Sequence, residues 1–343
     1  MDQILEFFEL FSDMTFSNSG FWIGMAVLAA VIVGYQLLKS YAPKVVSPVS
    51  TFLDRHPLIW VCIPAALLIY FVYVSLGWNL WVSVSDWEAG SLTSSYGWGG
   101  FGNYIKMFSD PNFLPSLTNT LLLFCIIPVC LLLGLGLALL MDQGLRGTAV
   151  FRTLILLPFA LSFVVTGVLW SYMYRPSGGV INELLKVLGV DVVSAVENGH
   201  LKWLSNSNTV MISIIIAMVW QFSGYVAVVF LAAIKGVPTS HINAAMLDGA
   251  YMPRIYCKLI IPQLKGAMGS CITILAMYAL RSFDLIVAMV GYSNNAAFTL
   301  PIWMYKEAFE QNNFAYSAAI SCFLLALVLI LILPLTYWTN RRK

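Results

Sequence analysis

Apolar residues run almost unbroken along most of this chain, and polar residues gather in the shorter stretches between. Six apolar stretches, roughly 57–84, 114–141, 153–174, 209–234, 264–291 and 315–338, are each long enough to cross a bilayer as a helix. A hydrocarbon core roughly 30 Å thick needs about 20 residues. Four of the six contain a proline (Pro64, Pro128, Pro158, Pro334), which a bundle tolerates where neighbours satisfy the freed carbonyls. A shorter run, 21–38, reads FWIGMAVLAAVIVGYQLL. It can span or lie in the interface, and the absence of a charged face favours spanning. The pattern predicts an all-α integral membrane protein of about seven transmembrane helices, a six-helix core plus one N-terminal helix.

Composition agrees. Of 343 residues, 60% are hydrophobic and 10% charged, against about 25% charged in a soluble domain, so lipid is the expected solvent. Residues 1–20 hold Asp2, Glu6, Glu9 and Asp13 and no Lys or Arg, which does not fit the basic start of a cleavable signal. The six cysteines, Cys62, Cys125, Cys130, Cys257, Cys271 and Cys322, show neither CxxC nor Cys/His spacing. They read as small buried hydrophobes rather than disulfides or metal ligands.

The position of the basic residues sets the orientation. With the N-terminus outside and seven spans, the cytoplasmic segments carry Lys39, Lys44, Arg55, Arg146, Arg152, Lys235, Arg254, Lys258, Lys265, Arg341, Arg342 and Lys343. The outer segments carry only Lys106, Arg175, Lys186, Lys202 and Lys306, and Arg281 falls within a span. Positive charge favours the cytoplasmic side, so the C-terminus is expected inside. Residues 1–56 form an N-terminal segment with the extra helix, and 57–343 the main membrane domain. Outer loops 85–113 and 175–208 are rich in turn-formers and aromatics, and the long cytoplasmic loop of the second half is 235–263.

That loop reads KGVPTSHINAAMLDGAYMPRIYCKLIIPQ. Pro238 with Thr239 or Ser240 can start a helix, by fixed dihedral and side-chain capping. Ile242, Ala245 and Met246 then give a short apolar face at i, i+3, i+4, and Gly249 can end the helix in the left-handed conformation. Pro253 can open a second short helix leading back to the membrane at Pro262. The residues alone fit a docking knob or a plain amphipathic surface helix.

The run Asn243-Ala244-Ala245-Met246-Leu247-Asp248-Gly249-Ala250, with Pro262 thirteen residues after Gly249, resembles the EAA loop of ABC importer permeases. Other pieces resemble the carbohydrate-uptake branch of that family, related to the maltose and glycerol-phosphate permeases. They are Phe101-Gly102-Asn103-Tyr104, Asn119-Thr120, Phe151-Arg152-Thr153 followed by Pro158, Gly179 with Ile181 and Asn182, and Phe283-Asp284. The similarity covers roughly 57–338. Two positions depart from the pattern: Asn243 stands where the motif has Glu, and Gly291-Tyr292-Ser293 where Gly-Gly-Pro is usual.

The resemblance implies a permease of the bacterial plasma (inner) membrane that moves a sugar or oligosaccharide by alternating access. Asn243, Ala244, Ala245, Met246, Asp248, Gly249 and Ala250 would form the coupling helix, seated in a cleft of an ABC ATPase. Asp248 would contact that ATPase or serve only as a turn residue beside Gly249. The chain has no GxxxxGK[ST] sequence, so no phosphate-cradling loop is present. ATP and Mg are expected on the partner ATPase, with no cofactor, metal or catalytic residue on this chain. A second permease and an extracytoplasmic solute-binding protein are the other implied partners, with membrane lipid around the spans and no nucleic acid. The helix at 21–38 fits the longer member of a heterodimer.

Ionisable residues inside a span usually face the bundle interior. Tyr278, Arg281 and Asp284 recur at i, i+3, i+6 in span 264–291 and read as a polar stripe along a solute path, as an internal ion pair fixing helix packing, or with Asp284 sitting near the outer interface. Gln221, Gly224 and Tyr225 form a second stripe, beside Trp220, which reads as a structural aromatic. Ser162, Thr166 and Trp170 recur every four residues, and the two hydroxyls can line a path or glue helices together. A secondary transporter would show repeats around its site, and none is evident. An intramembrane enzyme would need a motif such as His/Glu zinc spacing or Gly-x-Ser-x-Gly, and the chain has neither.

Overall fold

The computed structural model describes residues 58–87, 97–144, 147–189, 191–192, 196 and 201–340. The expected N-terminal span 21–38, the rest of segment 1–56, and the basic residues Arg146, Arg341, Arg342 and Lys343 lie outside that set. The chain divides after Leu76 into two compact units. The described part of the first is helix α1 (Leu58–Ser83) as far as Leu76. Its Leu68, Phe71 and Tyr73 are all more than half exposed, as suits a helix whose surroundings are as apolar as itself.

The second unit is helical throughout, apart from an isolated β-bridge between Ser85 and Trp98 among the described residues. A short helix α2 (Gly102–Ser109) precedes α3 (Phe113–Asp142), which passes through a 3-10 turn at Leu123–Cys125. Then come α4 (Thr148–Ala160), α5 (Phe163–Met173), α6 (Val180–Val187) and α7 (Val210–Lys235). Beyond them lie α8 (Thr239–Leu247), α9 (Met252–Gln263), α10 (Lys265–Leu280) and α11 (Phe283–Val290). Last are α12 (Leu300–Phe309) and α13 (Phe314–Asn340). Among the described residues, α3, α7 and α13 are long and apolar enough to cross a membrane alone, and two bent pairs, α4 with α5 and α9 with α10, raise the number to five.

α7 is the central helix: 56% of its apolar window is buried, against 28% for α3 and 33% for α13. It carries small residues where backbones approach. A Cβ on Gly134 of α3 would lie 2.5 Å from Val226 Cγ1 and 3.1 Å from the Ala227 nitrogen, and one on Gly224 would lie 1.7 Å from the Ile155 carbonyl of α4. Close approach through small residues is how helices associate where lipid is as apolar as leucine.

Two expected continuous spans are broken. Span 153–174 is two helices meeting at 98°. Pro158 lies inside the end of α4, Leu161 and Ser162 are extended (ψ 146° and 154°), and Ser162 Oγ caps α5 by accepting from the Val165 N–H at 3.3 Å. A proline followed by an N-capping serine is a stop and a fresh start. Span 264–291 ends as a helix at Leu280 and resumes at Phe283. There Ser282 Oγ donates to the Ala279 carbonyl at 3.0 Å, competing with the helix's own ladder.

Around the loops 85–113, 175–208 and 291–313, asparagines of the family-like motifs hold backbone together. Asn103 Nδ2 donates to the Ser83 and Ser85 carbonyls, and Tyr104 OH pairs with Ser83 Oγ. Asn119 Nδ2 donates to the Ala296 and Phe298 carbonyls, and Thr120 Oγ1 accepts from the Leu300 N–H. Asn182 donates to the Pro176 carbonyl and accepts from Trp203 Nε1. Each satisfies carbonyls that no regular helix or strand serves. All six cysteines are free. Cys130, Cys271 and Cys322 are buried as expected, but Cys62, Cys125 and Cys257 lie at the surface of the chain.

Candidate functional site

The loop 235–263 forms a helical hairpin. α8 begins after Pro238, with no side-chain cap, so the capping expected of Thr239 or Ser240 is absent and the proline's fixed φ starts the helix. Its end is a full C-cap. Gly249 sits at φ +77°, its N–H donates to the Met246 carbonyl at 3.0 Å, and the Ala250 N–H reaches the Ala245 carbonyl at 3.0 Å. That crossed pair is the Schellman arrangement, which needs a left-handed residue at this position.

The apolar face of α8 is narrower than its spacing implies. Ile242, Ala245 and Ala250 pack against the core, but Met246 is 46% exposed and Leu247 89% exposed. Asn243, Ala244, Asp248 and Gly249 are exposed as well. The return helix α9 has Pro253 in its first turn, a π turn at Tyr256–Ile260, and a 62° bend into α10. The hairpin thus presents methyls, a leucine and a methionine to its surroundings and anchors itself through its other face.

Within the bundle, a cleft of about 260 Å³ opens at the break between α4 and α5. It gathers Ser162, Gln221, Tyr278 and Asp284 with Phe159, Leu161, Phe163, Val164 and Phe222. Four residues from three separate sequence stripes therefore meet at one place. Gln221 is 2% exposed, and its Nε2 donates to the Leu161 carbonyl at 3.0 Å, while its Oε1 has no partner. The carbonyl freed by the helix break is thus served from α7, as backbone at membrane depth requires. Tyr278 stacks on Phe222 at 4.7 Å, and Phe163 meets it edge-on at 5.5 Å. Asp284 is exposed in the first turn of α11, where the helix dipole favours a carboxylate.

The remaining expected pathway residues fall elsewhere. Arg281 caps α10 and is exposed, outside the cleft lining. The helix break separates it from Asp284, so Tyr278, Arg281 and Asp284 do not share one helical face and the two charges do not pair. Gly224 is pressed against the backbone of α4, and Tyr225 stacks on Phe159 at 4.6 Å. That stripe is a packing seam, with only Gln221 reaching the cleft. Ser162 is exposed at the cap, whereas Thr166 and Trp170 are buried on α5 with Oγ1 and Nε1 unpartnered. Sequence reasoning missed the aromatic walls Phe159, Phe163 and Phe222. Pro158 followed by Ser162 was the signal that could have located the break and, with it, the cleft.

A helical hairpin beside a bundle with broken spans has counterparts among known proteins. Residues 130–342 match the family described as binding-protein-dependent transport system inner membrane component. A probable ABC transporter permease of Pyrococcus horikoshii is 42% identical over 291 residues, covering 84% of this chain and 97% of the relative. The xylose/arabinose import permease of Haloferax volcanii is 37% identical over 283 residues, covering 82% and 86%. The crystal structure of a bacterial ABC transporter involved in import of the acidic polysaccharide alginate superposes with a TM-score of 0.68 at 18% identity, covering 86% of this chain and 99% of that one. The last likeness establishes the fold. Family match and identity together place the chain among the inner-membrane components of binding-protein-dependent transport systems, as a multi-pass permease subunit of an ABC importer.

Proposed function

We propose that this permease imports a neutral carbohydrate, that α8 is its coupling helix, and that a separate ATPase carrying ATP and Mg supplies the energy. The observation that carries the reading is α8 itself. It is a helix closed by Gly249 at φ +77° that displays Leu247 at 89% exposure, on the side where basic residues concentrate. An exposed leucine beside a half-exposed methionine at a helix end is suited to insertion into a groove of another protein. Closure of the ATPase pair would shift the hairpin and rock the spans as rigid bodies. The reading takes seven spans, the N-terminus outside and the core starting near residue 57. A second permease completes the passage, and the outer loops receive the solute-binding protein.

The cleft supports the solute class. Its lining combines a serine, a glutamine and a carboxylate with Tyr278, Phe159, Phe163 and Phe222, and it holds no Lys or Arg. Aromatic faces and uncharged hydrogen-bonding groups suit sugar rings, and Asp284 would repel a phosphate. This favours the sugars named for the xylose/arabinose relative, and for a diacetylchitobiose uptake permease that is 30% identical. It disfavours the ligand of the sn-glycerol-3-phosphate permease, itself 31% identical. A volume of about 260 Å³ falls just short of the ~300–1,000 Å³ of complete ligand pockets, as half of a passage shared by two subunits would.

The test is co-purification of the tagged protein from its native membrane in mild detergent. Recovery of an ABC ATPase and a second permease is expected, with the ATPase lost when 241–250 is deleted and the protein still in the membrane. An ATPase retained by the deletion variant would refute the docking role.

A further inference from the structure

Asp142 is the last residue of α3, and its carboxylate serves two other elements at once. Lys235, at the end of α7, places Nζ 3.4 Å from Oδ1. Tyr256, in the return helix α9, donates its hydroxyl to Oδ2 at 2.7 Å. The lysine side chain is 55% exposed and the aspartate 18%, so solvent screens the ion pair and the phenol bond is the directional tie. α3 and α7 are already locked where Gly134 meets Val226 and Ala227. α9 is compliant by comparison: Tyr256 opens its π turn and the 62° bend follows it. Such π turns are frequent at functional sites. Ile255 and Ile260 anchor α9 through burial, which is non-directional, whereas a charge-assisted hydrogen bond fixes an angle.

We propose that Asp142 is a positioning residue that fixes the return helix of the hairpin to the α3–α7 pair, so that displacement of α8 reaches those spans without being absorbed at the π turn. This rests on the docking role of α8 proposed above. The contact between α3 and α9 is tertiary, since Asp142 and Tyr256 are separated by 114 positions.

The experiment uses the ATPase-containing complex in lipid nanodiscs, with the exposed native cysteines replaced by serine. Spin labels go on Ser240→Cys at the exposed start of α8 and Leu132→Cys on the exposed face of α3. Distances are measured without nucleotide and after trapping with Mg-ATP and vanadate. In the parent the two distributions should superimpose, because hairpin and span move together. In Asp142→Ala the trapped distribution should shift and broaden while ATP hydrolysis continues. Asp142→Asn, which keeps an acceptor for Tyr256, should restore the parent behaviour, and Lys235→Ala should resemble the parent. A purely structural role would lower the melting temperature and leave the distances independent of nucleotide. Unchanged distances in Asp142→Ala, in a complex where Ser240→Cys still cross-links to the ATPase, overturn the proposal alone. Failure of that cross-link in the parent overturns the docking role and the proposal with it.

Discussion

Replacing Gly224 by alanine should be far more damaging than the same change at Gly136, although both glycines lie within apolar membrane helices. At Gly224 the new Cβ would stand 1.7 Å from the Ile155 carbonyl oxygen. Ordinary contact begins at 3.4 Å, so α4 must retreat by about 1.7 Å, and the obstacle is backbone rather than a side chain that could rotate away. Overpacking of this kind costs about 1–3 kcal/mol. The retreat also stretches the Gln221–Leu161 bond, now 3.0 Å, beyond any hydrogen bond, and an unpaired buried carbonyl costs about 1–3 kcal/mol more. Alanine recovers about 1 kcal/mol of helix propensity, for a net loss of about 1–5 kcal/mol. At Gly136 a Cβ meets nothing within 4 Å, so only the propensity gain applies.

Thermal melts of the detergent-solubilised protein, followed by tryptophan fluorescence, separate the two. Gly224→Ala should melt several degrees lower, given about 2–4 °C per kcal/mol for larger domains. Gly136→Ala should melt at or slightly above the parent. Equal melting temperatures for Gly224→Ala and the parent would mean that the α4–α7 seam is not closely packed. The Gln221 contact that depends on that seam would then have no structural basis.

Two further outcomes concern Asn119 and Glu307. Asn119 donates to two carbonyls, so Asn119→Ala should cost about 2 kcal/mol at about 1 kcal/mol per neutral bond. Asn119→Asp, which turns an acceptor toward both carbonyls, should melt lower still, and a milder effect for Asp than for Ala would show those bonds to be misassigned. Glu307 on α12 has its carboxyl pushed above the usual carboxylate range by burial, an effect only partly offset by the Trp303 indole donor and Lys106. A carboxyl whose folded value is raised holds its proton longer when folded, so its favourable contribution is present below the unfolded value of about 4.3 and fades as pH rises toward the folded one. The melting-temperature difference between parent and Glu307→Gln should therefore change across that window and level off above it, and a flat difference would refute the burial argument.

The apolar stretches that form α3, α7 and α13, and the hairpin, were legible because their causes are local. Twenty apolar residues have few options in lipid, and the Pro238 to Gly249 interval states where a helix starts and stops. Gly249 shows how far such reading reaches, since a left-handed C-cap needs no tertiary information. The pathway stripes were not legible in the same way. Placing Tyr278, Arg281 and Asp284 on one face assumed an unbroken helix, and a serine hydroxyl at 282 bonding back to Ala279 was enough to cancel that assumption. Gln221, Gly224 and Tyr225 do share a face, but what the face meets depends on α4, which no periodicity in α7 could reveal.

The broken spans and the cleft have one physical origin. Non-helical backbone is tolerated at membrane depth only where protein or a water-filled cavity serves its polar groups, so a chain that breaks a helix there must place a donor nearby. Gln221 is that donor for Leu161. An amide brings two functions, however, and satisfying the carbonyl with Nε2 leaves Oε1 buried without a partner. An apolar replacement would remove the orphan oxygen but strand the carbonyl. The break therefore obliges the protein to keep a buried amide at the edge of the cleft that Gln221 lines with Tyr278, Ser162 and Asp284. The helix break that looks like a defect in the span is thus what brings a capping serine, Ser162, and a carbonyl-bound amide, Gln221, to one cleft.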